Sequence, residues 1–285
     1  MNRICSGIVT YNPDVNRLKA NISSIAPQVE EIIIYDNGSA NLDAIRSLAS
    51  SNTHIISNKK NNGMSVALNA LANEAIKRGY TDILFLDQDS VSTEGMVEAL
   101  SSLTSQNVGV VCPRRIDRNS PNEEDTYAEE EEAAHTITSG SLVNLVIFDK
   151  IGGYDERLFI DWVDLDYCHN LRLHGYKILR AKQATLIHEL GHKEYAMSIP
   201  RRKPNGKWEL RKYYRSGHSL SRQQDMARSQ AIVLAKYRGT PVFREVFIPI
   251  LSSNLFGLLL EKHKLALLKA KRKGRAEGLK IARGK

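Results

Sequence analysis

The alternation of short β-branched runs with helix-patterned segments is the feature that most constrains the fold of this chain. Five such runs recur at similar spacing: Ile4–Thr10, Glu31–Tyr35, His54–Ser57, Asp82–Leu86 and Val108–Cys112. Between them, apolar residues recur at steps of three and four, which is typical of amphipathic helices. Strands that alternate with helices indicate βαβ units. We therefore predict an α/β fold whose mostly parallel central sheet is flanked by helices.

Polar residues cluster where three of these strands end. The clusters are Thr10-Tyr11-Asn12-Pro13, Asp36-Asn37-Gly38-Ser39 and Asp87-Gln88-Asp89-Ser90. Ligands of parallel sheets bind beyond the carboxyl ends of the strands, so the clusters indicate one site. Asn12 and Ser39 could instead cap the helices that follow. A cap needs only one of Asp87 and Asp89, and two such carboxylates can hold a divalent cation.

Nucleotide sites of two other kinds are disfavoured. The chain has no GxGxxG after its first strand and no GxxxxGK[ST]. The first absence argues against a dinucleotide-binding Rossmann domain, and the second argues against a P-loop.

A second acidic cluster lies among aromatic residues. It places Asp161, Asp164 and Asp166 within six residues. Burying an unpaired carboxylate costs on the order of several kcal/mol, so three in a plain core would be unexpected. A helix start with Asp161 as N-cap and Asp164 in the first turn would explain two of them. The third favours a functional role for the cluster.

The order of these motifs resembles glycosyltransferase family 2, whose members have the GT-A fold. The resemblance covers roughly residues 3–215, beginning with the three strand-end clusters. Asn62-Gly63-Met64 with Ala67 and Asn69 is similar to the family's N-x-G-x-x-x-A-x-N segment. Gly152-Gly153-Tyr154-Asp155-Glu156 with Phe159 is similar to GGFDE-x-F, and Gly175-Tyr176-Lys177 is similar to GYK.

The resemblance implies roles for individual residues. The expected donor-binding residues are Thr10, Tyr11, Asn12, Asp36, Asn37, Asn62, Gly63, Asp87, Gln88 and Asp89. The family's catalytic base lies in an E-D-x-D segment, which here reads Val163-Asp164-Leu165-Asp166, so Asp164 is the expected base although the Glu is missing. Asp161 and Trp162 are expected to bind the acceptor, although Trp162 could equally be a packing aromatic. Mg²⁺ or Mn²⁺ is expected at Asp89, Asp87 and His188.

The segment around the base resembles the rhamnosyltransferase branch of the family, whose donor is dTDP-L-rhamnose. That branch often carries Arg-Asn after paired tyrosines, whereas this chain has Tyr213-Tyr214-Arg215-Ser216. The implied reaction is a metal-dependent inverting transfer of L-rhamnose to a glycan or polyprenyl-linked acceptor in bacterial cell-surface polysaccharide synthesis. The alternatives are a UDP-sugar donor such as UDP-galactofuranose and, more remotely, a non-catalytic membrane-binding module.

The segment His188-Glu189-Leu190-Gly191-His192 fits the zinc-protease pattern H-E-x-x-H. That chemistry needs a helix, whereas Ala184–Ile187 has the pattern of a strand and Gly191 disfavours a helix. We therefore do not expect a zinc protease. His188 is either a metal ligand or a structural histidine, and His192 and Lys193 are candidate contacts for the donor diphosphate.

The net charge of +8 is confined to the end of the chain. Residues 261–285 contain ten Lys and Arg and two acids, so the first 260 residues are neutral. A neutral body argues against nucleic-acid binding. From Leu251 onward a leucine stripe with basic flanks predicts one amphipathic helix suited to an anionic membrane surface. The alternative is a helix packed on the body or in a homodimer.

Localisation follows from the same features. We expect a cytoplasmic enzyme that is peripheral at the inner face of the cell membrane. The apolar stretch Val242–Leu260 is interrupted by Arg244, Glu245 and Pro249, so we do not expect it to span the membrane. Cys5, Cys112 and Cys168 are widely spaced, which favours buried free thiols in a reducing compartment.

The predicted organisation is a catalytic domain over residues 1–215 and a helical extension over 216–285. Within the first, residues 1–112 form the nucleotide-binding half and 136–200 the acceptor half. Residues Asp117–Ala134 are rich in acids and predict a solvated loop. Residues 199–207 are expected to be irregular, and the chain is expected to be mostly helical from Tyr213 onward.

Overall fold

A computed structural model describes residues 2–117, 131–188, 194–202, 206–215, 217–261 and 263–284. These residues form two compact units, Met1–Leu190 and Gly191–Lys285. The predicted domain boundary at 215/216 lies further along the chain. The difference is a β-hairpin that groups with the C-terminal helices.

The first unit is built on an eight-stranded mixed sheet in the order β3-β2-β1-β4-β7-β6-β8-β5. Its strands are β1 Ile4–Thr10, β2 Glu31–Asp36, β3 Thr53–Ser57, β4 Asp82–Asp87, β5 Val91–Ser92, β6 Val108–Asp117, β7 Leu142–Asn144 and β8 Lys177–His188. Its helices are α1 Val15–Ile25, α2 Leu42–Arg46, α3 Met64–Lys77, α4 Met96–Ser101, α5 Leu145–Ile151 and α6 Val163–Leu173, with a 3₁₀ turn at Ala26–Gln28.

Four neighbouring strands, β3, β2, β1 and β4, run parallel, as the alternation of strands and helices predicts. The apolar runs of β2, β1 and β4 are buried on both faces, which is the normal pattern for a parallel sheet covered by helices, whereas the edge strand β3 is half-buried. The register pairs Thr10 with Asp36 and Val9 with Asp87. The three polar strand ends therefore lie side by side at one edge of the sheet.

Strand β7 breaks the parallel pattern, because it pairs antiparallel with both β4 and β6. Strand β6 continues to Asp117, five residues beyond its predicted end at Cys112. A register shift follows Pro113, and proline inside a strand is tolerated at such a bulge. The proline explains why the predicted strand was too short.

The capping alternative for the strand-end residues is wrong. Helix α1 is capped by Asp14, whose Oδ1 accepts from the N–H groups of Asn16 at 2.9 Å and Arg17 at 3.1 Å. Helix α2 has Asn41 at its N-cap position. Neither Asn12 nor Ser39 caps a helix, so both are left for other contacts.

Most of the predicted acidic loop, residues 118–130, lies outside the described residues. The part that the structure describes is not simply solvated. Glu132 forms a bridge with Leu179, and its carboxylate pairs with Lys177 at 2.8 Å. Ala133 is buried, and its N–H donates to Ile178. This end of the segment packs onto β8.

The second unit contains an antiparallel hairpin, β9 Glu194–Arg202 and β10 Trp208–Arg215, and three helices, α7 Leu220–Lys236, α8 Phe243–Leu260 and α9 Lys264–Ala282. The irregular segment predicted over 199–207 is wrong at residues 199–202, and the helical pattern predicted from Tyr213 is wrong at residues 213–215, because both stretches are strand. The prediction of a mostly helical chain is confirmed from Leu220 onward. Apolar Trp208 and Leu210 alternate with charged residues, which is the period-2 pattern of a strand.

The leucine stripe predicted to form one helix is divided between α8 and α9. Helix α9 packs against α7 through two glycines, since a Cβ on Gly274 would overlap the carbonyl oxygen of Gln224 and one on Gly278 would overlap that of Arg228. Because Gly274 contacts Gln224 and Gly278 contacts Arg228, α7 and α9 run parallel to each other. Helix α8, which connects them, must therefore run in the opposite direction, and the chain reverses after α8 ends at Leu260.

Helix α8 is long and apolar enough to cross a membrane when length and composition alone are considered. A single helix of this kind is weak evidence for a membrane span, because core helices of soluble proteins meet the same criteria.

We predict that none of the three thiols reacts in the folded protein. Cys5, Cys112 and Cys168 are free and buried, as expected from the sequence. Burial raises the pKa of the Cys168 thiol to about 12, so little reactive thiolate forms near neutral pH. Ellman's reagent at pH 8 should modify all three only after denaturation. Rapid labelling of one thiol in the native protein would contradict the prediction.

Candidate functional site

The carboxylate of Asp36 organises the turn that follows β2. Its Oδ1 accepts from the Thr10 hydroxyl at 3.1 Å, and its Oδ2 accepts from the N–H groups of Gly38 at 3.2 Å and Ser39 at 3.0 Å. Asp36 and Thr10 are both buried. The turn is therefore fixed in shape and joined to the end of β1.

The buried side-chain amide of Asn37 connects this turn to the start of α3. Its Oδ1 accepts from the N–H of Asn62 at 2.9 Å, and its Nδ2 donates to the carbonyl of Gly63 at 3.1 Å. Its backbone N–H donates to Thr10 at 2.8 Å. These three contacts hold the ends of β1 and β2 and the segment before α3, which carry the first three predicted donor-binding motifs, in one arrangement.

The turn after β1 contacts both of its neighbours. The N–H of Tyr11 donates to Oε1 of Gln88 at 2.9 Å, and the N–H of Asn12 donates to the Ser39 hydroxyl at 2.8 Å. Asn12 has a φ of 48°, a left-handed conformation that asparagine tolerates better than most residues. The Tyr11 side chain remains 49% exposed. An aromatic ring is thus available at this edge.

Asp87 and Asp89 follow β4, where other elements fix the backbone. The N–H of Asp87 donates to the Ser139 hydroxyl at 3.0 Å, and its carbonyl accepts from Nδ2 of Asn21 at 2.5 Å. Within the described residues, the half-buried Asp89 carboxylate forms no hydrogen bond or ion pair. Asp89 is consequently available to a ligand.

The acidic cluster begins α6, but not as the capping alternative supposes. The N-cap position is Trp162, with no side-chain hydrogen bond, while Asp164 and Asp166 lie in the first turn. Asp166 is buried and Asp161, Trp162 and Asp164 are half-buried. Trp162 has a φ of 75°, a strained conformation for a bulky residue. Such strain often accompanies functional sites.

Burial raises the pKa of the Asp164 carboxyl, and the negative charge of Asp161 raises it further. The N–H of Leu165, which donates to Asp164 at 2.9 Å, and the guanidinium of Arg115 act in the opposite direction. A carboxylate with a raised pKa is a stronger proton acceptor than an ordinary one. This direction favours the predicted role of Asp164 as general base, which stays a prediction.

Hydrogen bonds attach the segment before this cluster to α3. The amide of Asn69 accepts from the N–H of Tyr154 at 2.9 Å and donates to its carbonyl at 2.9 Å. The N–H of Met64 donates to Phe159 at 2.5 Å. Asn69 and Tyr154 belong to two motifs that are distant in the sequence, so the contact joins the two halves of the predicted site.

Packed aromatic rings lie close in sequence to both acidic clusters. The ring centroids of Tyr154 and Tyr167 are 4.4 Å apart, and those of Phe85 and Tyr154 are 6.0 Å apart. Phe85 lies two residues before Asp87, and Tyr167 lies three residues after Asp164. The packing thus connects β4 to α6 through side chains.

His188 is the last residue of β8, which confirms that the H-E-x-x-H sequence begins in a strand and not in a helix. Its side chain and residues 189–193, including His192 and Lys193, lie outside the described part. Among the residues that the structure describes, no group of three or more His, Cys, Asp or Glu side chains could hold a metal ion. The predicted set of Asp87, Asp89 and His188 stays a prediction.

Two contributors were missed by the sequence analysis. Arg115 was missed because the predicted strand ended at Cys112, just before Pro113, whereas the observed strand continues to Asp117. Ser139, whose hydroxyl also contacts that of Ser90 at 2.8 Å, lies in a loop with no distinctive pattern. No signal in the single sequence marks a loop hydroxyl as a backbone support.

Comparisons with known proteins identify the family and the fold of the chain. A model of the family described as "Glycosyl transferase family 2" matches residues 6–173. The dTDP-rhamnosyl transferase RfbF of Shigella flexneri is 26% identical over 292 residues, which cover 94% of this chain and 92% of RfbF.

Two solved structures share the fold. S. aureus TarS 1-349 in complex with UDP-GlcNAc gives a TM-score of 0.66 at 12% identity, over 99% of this chain and 89% of that one. GalNAc-T7 with UDP, GalNAc and Mn²⁺ gives 0.55 at 14% identity over 67% of this chain, which spans 43% of the GalNAc-T7 chain. The predicted GT-A fold with C-terminal helices is confirmed.

We predict that Gly63→Ala destabilises the protein more than Gly95→Ala. Gly63 has φ 92° and ψ 171°, a region essentially restricted to glycine, and its Cβ would lie 2.7 Å from the carbonyl oxygen of Phe159. The backbone strain alone costs about 1–3 kcal/mol. Gly95 has φ 72° but open space around it. Urea unfolding of both variants measures the difference, and equal losses would contradict the prediction.

We predict that Asp164→Asn stabilises the fold above the raised pKa of Asp164. In the wild type the folded state disfavours ionisation, so the free energy of unfolding falls as pH rises from the ordinary aspartate pKa through the folded-state pKa. Asparagine does not ionise, so the variant does not lose this free energy of unfolding. The difference in melting temperature should vanish at acid pH and be largest near neutrality, as followed by circular dichroism.

Asp149→Asn is the matched control for this experiment, because Asp149 is exposed on α5. It should give no comparable pH-dependent gain. A variant at Asp164 that melts lower than the wild type near neutral pH would show that the carboxylate is not disfavoured by burial.

Proposed function

The chain belongs to glycosyl transferase family 2, and we propose that this glycosyltransferase is a metal-dependent, inverting rhamnosyltransferase. It transfers L-rhamnose from dTDP-L-rhamnose to a lipid-linked glycan in the synthesis of a bacterial cell-surface polysaccharide. The observation that carries the choice of donor is the similarity to dTDP-rhamnosyl transferase RfbF, which extends over nearly the whole of both chains.

The donor occupies the strand-end edge of the proposed nucleotide-binding half, residues 1–112. The exposed ring of Tyr11 stacks on the base, because aromatic faces bind bases well. Thr10, Asn12, Asp36, Asn62, Gly63 and Gln88 shape the pocket around the nucleoside. All three hydrogen-bonding groups of Asn37 described above are engaged within the protein, so we assign it a positioning role.

The chemistry is a single displacement at the anomeric carbon of the sugar. The acceptor hydroxyl attacks this carbon as its bond to the diphosphate oxygen breaks, and the nucleoside diphosphate leaves with the bonding electrons. Asp164 takes the proton of the attacking hydroxyl. Its raised pKa fits this role, since a base works best when its pKa is closer to the working pH.

A divalent metal ion fits the acidic strand end. Asp87 and Asp89 offer hard oxygen ligands, which Mg²⁺ and Mn²⁺ prefer, and the Asp89 carboxylate has no partner within the described residues. GalNAc-T7, which shares the fold, has been solved with Mn²⁺. When bound, the ion would neutralise charge on the leaving diphosphate. Asp87, Asp89 and His188 would hold it.

Asp161 and Trp162 bind the acceptor in this proposal, in the half that comprises residues 136–200. Trp162 precedes the base by two residues and is half-buried, so part of its ring is open to a sugar face. Asp161 is close enough to Asp164 to affect its titration. Both features support the assignment of these residues to acceptor binding.

We further propose that the enzyme works in the cytoplasm at the inner face of the cell membrane. A lipid-linked acceptor is restricted to that surface. The basic charge of residues 261–285 supports attraction to anionic lipids.

A UDP-sugar donor, such as UDP-galactofuranose, is the second candidate. It is supported by TarS, a structure of the same fold solved with UDP-GlcNAc. A membrane-binding module without catalysis is a remote third candidate, because it leaves both acidic clusters unexplained.

We predict that Asp164→Asn lowers the turnover of dTDP-L-rhamnose by about 10²- to 10⁴-fold, the usual contribution of a general base. The assay contains Mg²⁺ or Mn²⁺ and a lipid-linked glycan acceptor. The variant should still show a thermal shift with dTDP, because the base does not hold the nucleotide. Asp149→Asn is the control and should keep full activity.

Four outcomes would revise the proposal. Full activity of Asp164→Asn would remove Asp164 as the base. Undiminished turnover after EDTA treatment would remove the metal requirement. A larger thermal shift with UDP than with dTDP would favour the UDP-sugar alternative, and the absence of any nucleotide or metal binding would favour the non-catalytic one.

A further inference from the structure

Helix α8 exposes an unusual amount of apolar surface. Of its 18 residues, only Val246 and Ile250 are buried. Six large apolar side chains on this helix are exposed, and they are Phe247, Ile248, Leu251, Leu255, Phe256 and Leu259. Patches of this kind mark surfaces that bind a partner or a membrane.

A groove of about 410 Å³ lies beside this surface, between α7, α8 and α9. One part of its lining is apolar and includes Phe247, Leu251 and Leu268. Another part is cationic and is formed by Lys271, Arg272 and Arg275. The groove therefore offers both kinds of surface that an anionic amphiphile requires.

Lys271 is held inside this groove by neutral groups. Its Nζ donates to Oδ1 of Asn254 at 2.8 Å, and Nδ2 of Asn254 donates to Oε1 of the buried Gln230 at 3.0 Å. Burial lowers the pKa of Lys271, with Glu261 acting against this. Within the described residues, neither Lys271 nor the two arginines form an ion pair. An ammonium group has three donors, so Lys271 can bind an anion.

We propose that this groove binds an anionic phospholipid of a membrane surface. The phosphate contacts Lys271, Arg272 and Arg275, and the acyl chains lie on Phe247, Leu251 and Leu268. The proposal rests on the membrane placement given above and deepens it, because it assigns a lipid site in addition to a general charge attraction.

The distribution of charge favours an anionic phospholipid surface over two alternatives, namely a second copy of the chain and a membrane-spanning α8. A second copy of the chain would bring two segments of residues 261–285 together, each with ten basic and two acidic residues, and they would repel each other. A spanning arrangement of α8 would draw its partner α9 into the hydrocarbon layer, where the cost of lysine and arginine is high. An anionic surface satisfies both the apolar and the basic parts.

We predict that Lys271→Gln weakens binding to vesicles more than Lys273→Gln. The probes are vesicles of equal parts phosphatidylglycerol and phosphatidylcholine, and binding of the full chain is measured by cosedimentation. Both variants remove one charge from α9, but Lys273 is exposed and does not line the groove. General attraction predicts about a fivefold loss for Lys273→Gln. A direct phosphate contact predicts a roughly twentyfold loss for Lys271→Gln.

A second matched pair tests the apolar part of the groove. Leu251→Ser should weaken vesicle binding more than Leu259→Ser, because both residues are exposed on α8 and only Leu251 lines the groove. Unchanged circular dichroism and an unchanged thermal shift with dTDP verify that the variants fold. These controls also separate this test from the proposed transfer reaction, which it does not measure.

Four results would overturn the proposal. The first is an equal loss of vesicle binding for Lys271→Gln and Lys273→Gln, and the second is equal binding to vesicles of phosphatidylcholine alone. The third is displacement of the protein from the vesicles by soluble glycerol phosphate at the same phosphate concentration. The fourth is a protein that forms a dimer in sedimentation velocity and does not bind vesicles.

Discussion

The buried amide of Asn37 is the contact on which the rest of the candidate site depends. It satisfies a donor at Asn62 and an acceptor at Gly63, while its own N–H binds Thr10. These groups belong to three segments that are separate in the sequence. A buried polar group left unpaired costs about 1–3 kcal/mol. The three segments therefore keep one arrangement, or they lose several hydrogen bonds together.

The acidic segment depends on a different kind of contact, namely packing of aromatic rings. Tyr154 lies between Phe85 on β4 and Tyr167 on α6, so the two acidic clusters share one support. Burial raises the pKa of the Asp164 carboxyl, and burial together with the charge of Asp164 raises the pKa of Tyr154. The packed tyrosine and the acidic cluster therefore influence each other electrostatically.

The parallel sheet and its polar edge were predictable, because strands that alternate with helices must bring their carboxyl ends together. The family resemblance also linked motifs that the structure joins, such as Asn69 and Tyr154. What each polar atom contacts was not predictable. Asp36 uses both carboxylate oxygens within its own turn, and no pattern separates such an aspartate from one that faces a ligand. The turn of the chain after Leu260 also depends on tertiary contacts of α9.

The shortness of β7 has a consequence for how such a fold can vary. Of the six residues of β4, only Asp82–Leu84 pair with β7. Beyond that point, the side of β4 that faces β7 receives single contacts from Ser139, Gly140 and Ser141, while β1 pairs with its other side as far as Asp87. The connection from β6 to β7 therefore enters the sheet through a few residues. Its length can change during evolution without shifting the register of the strand that carries Asp87 and Asp89.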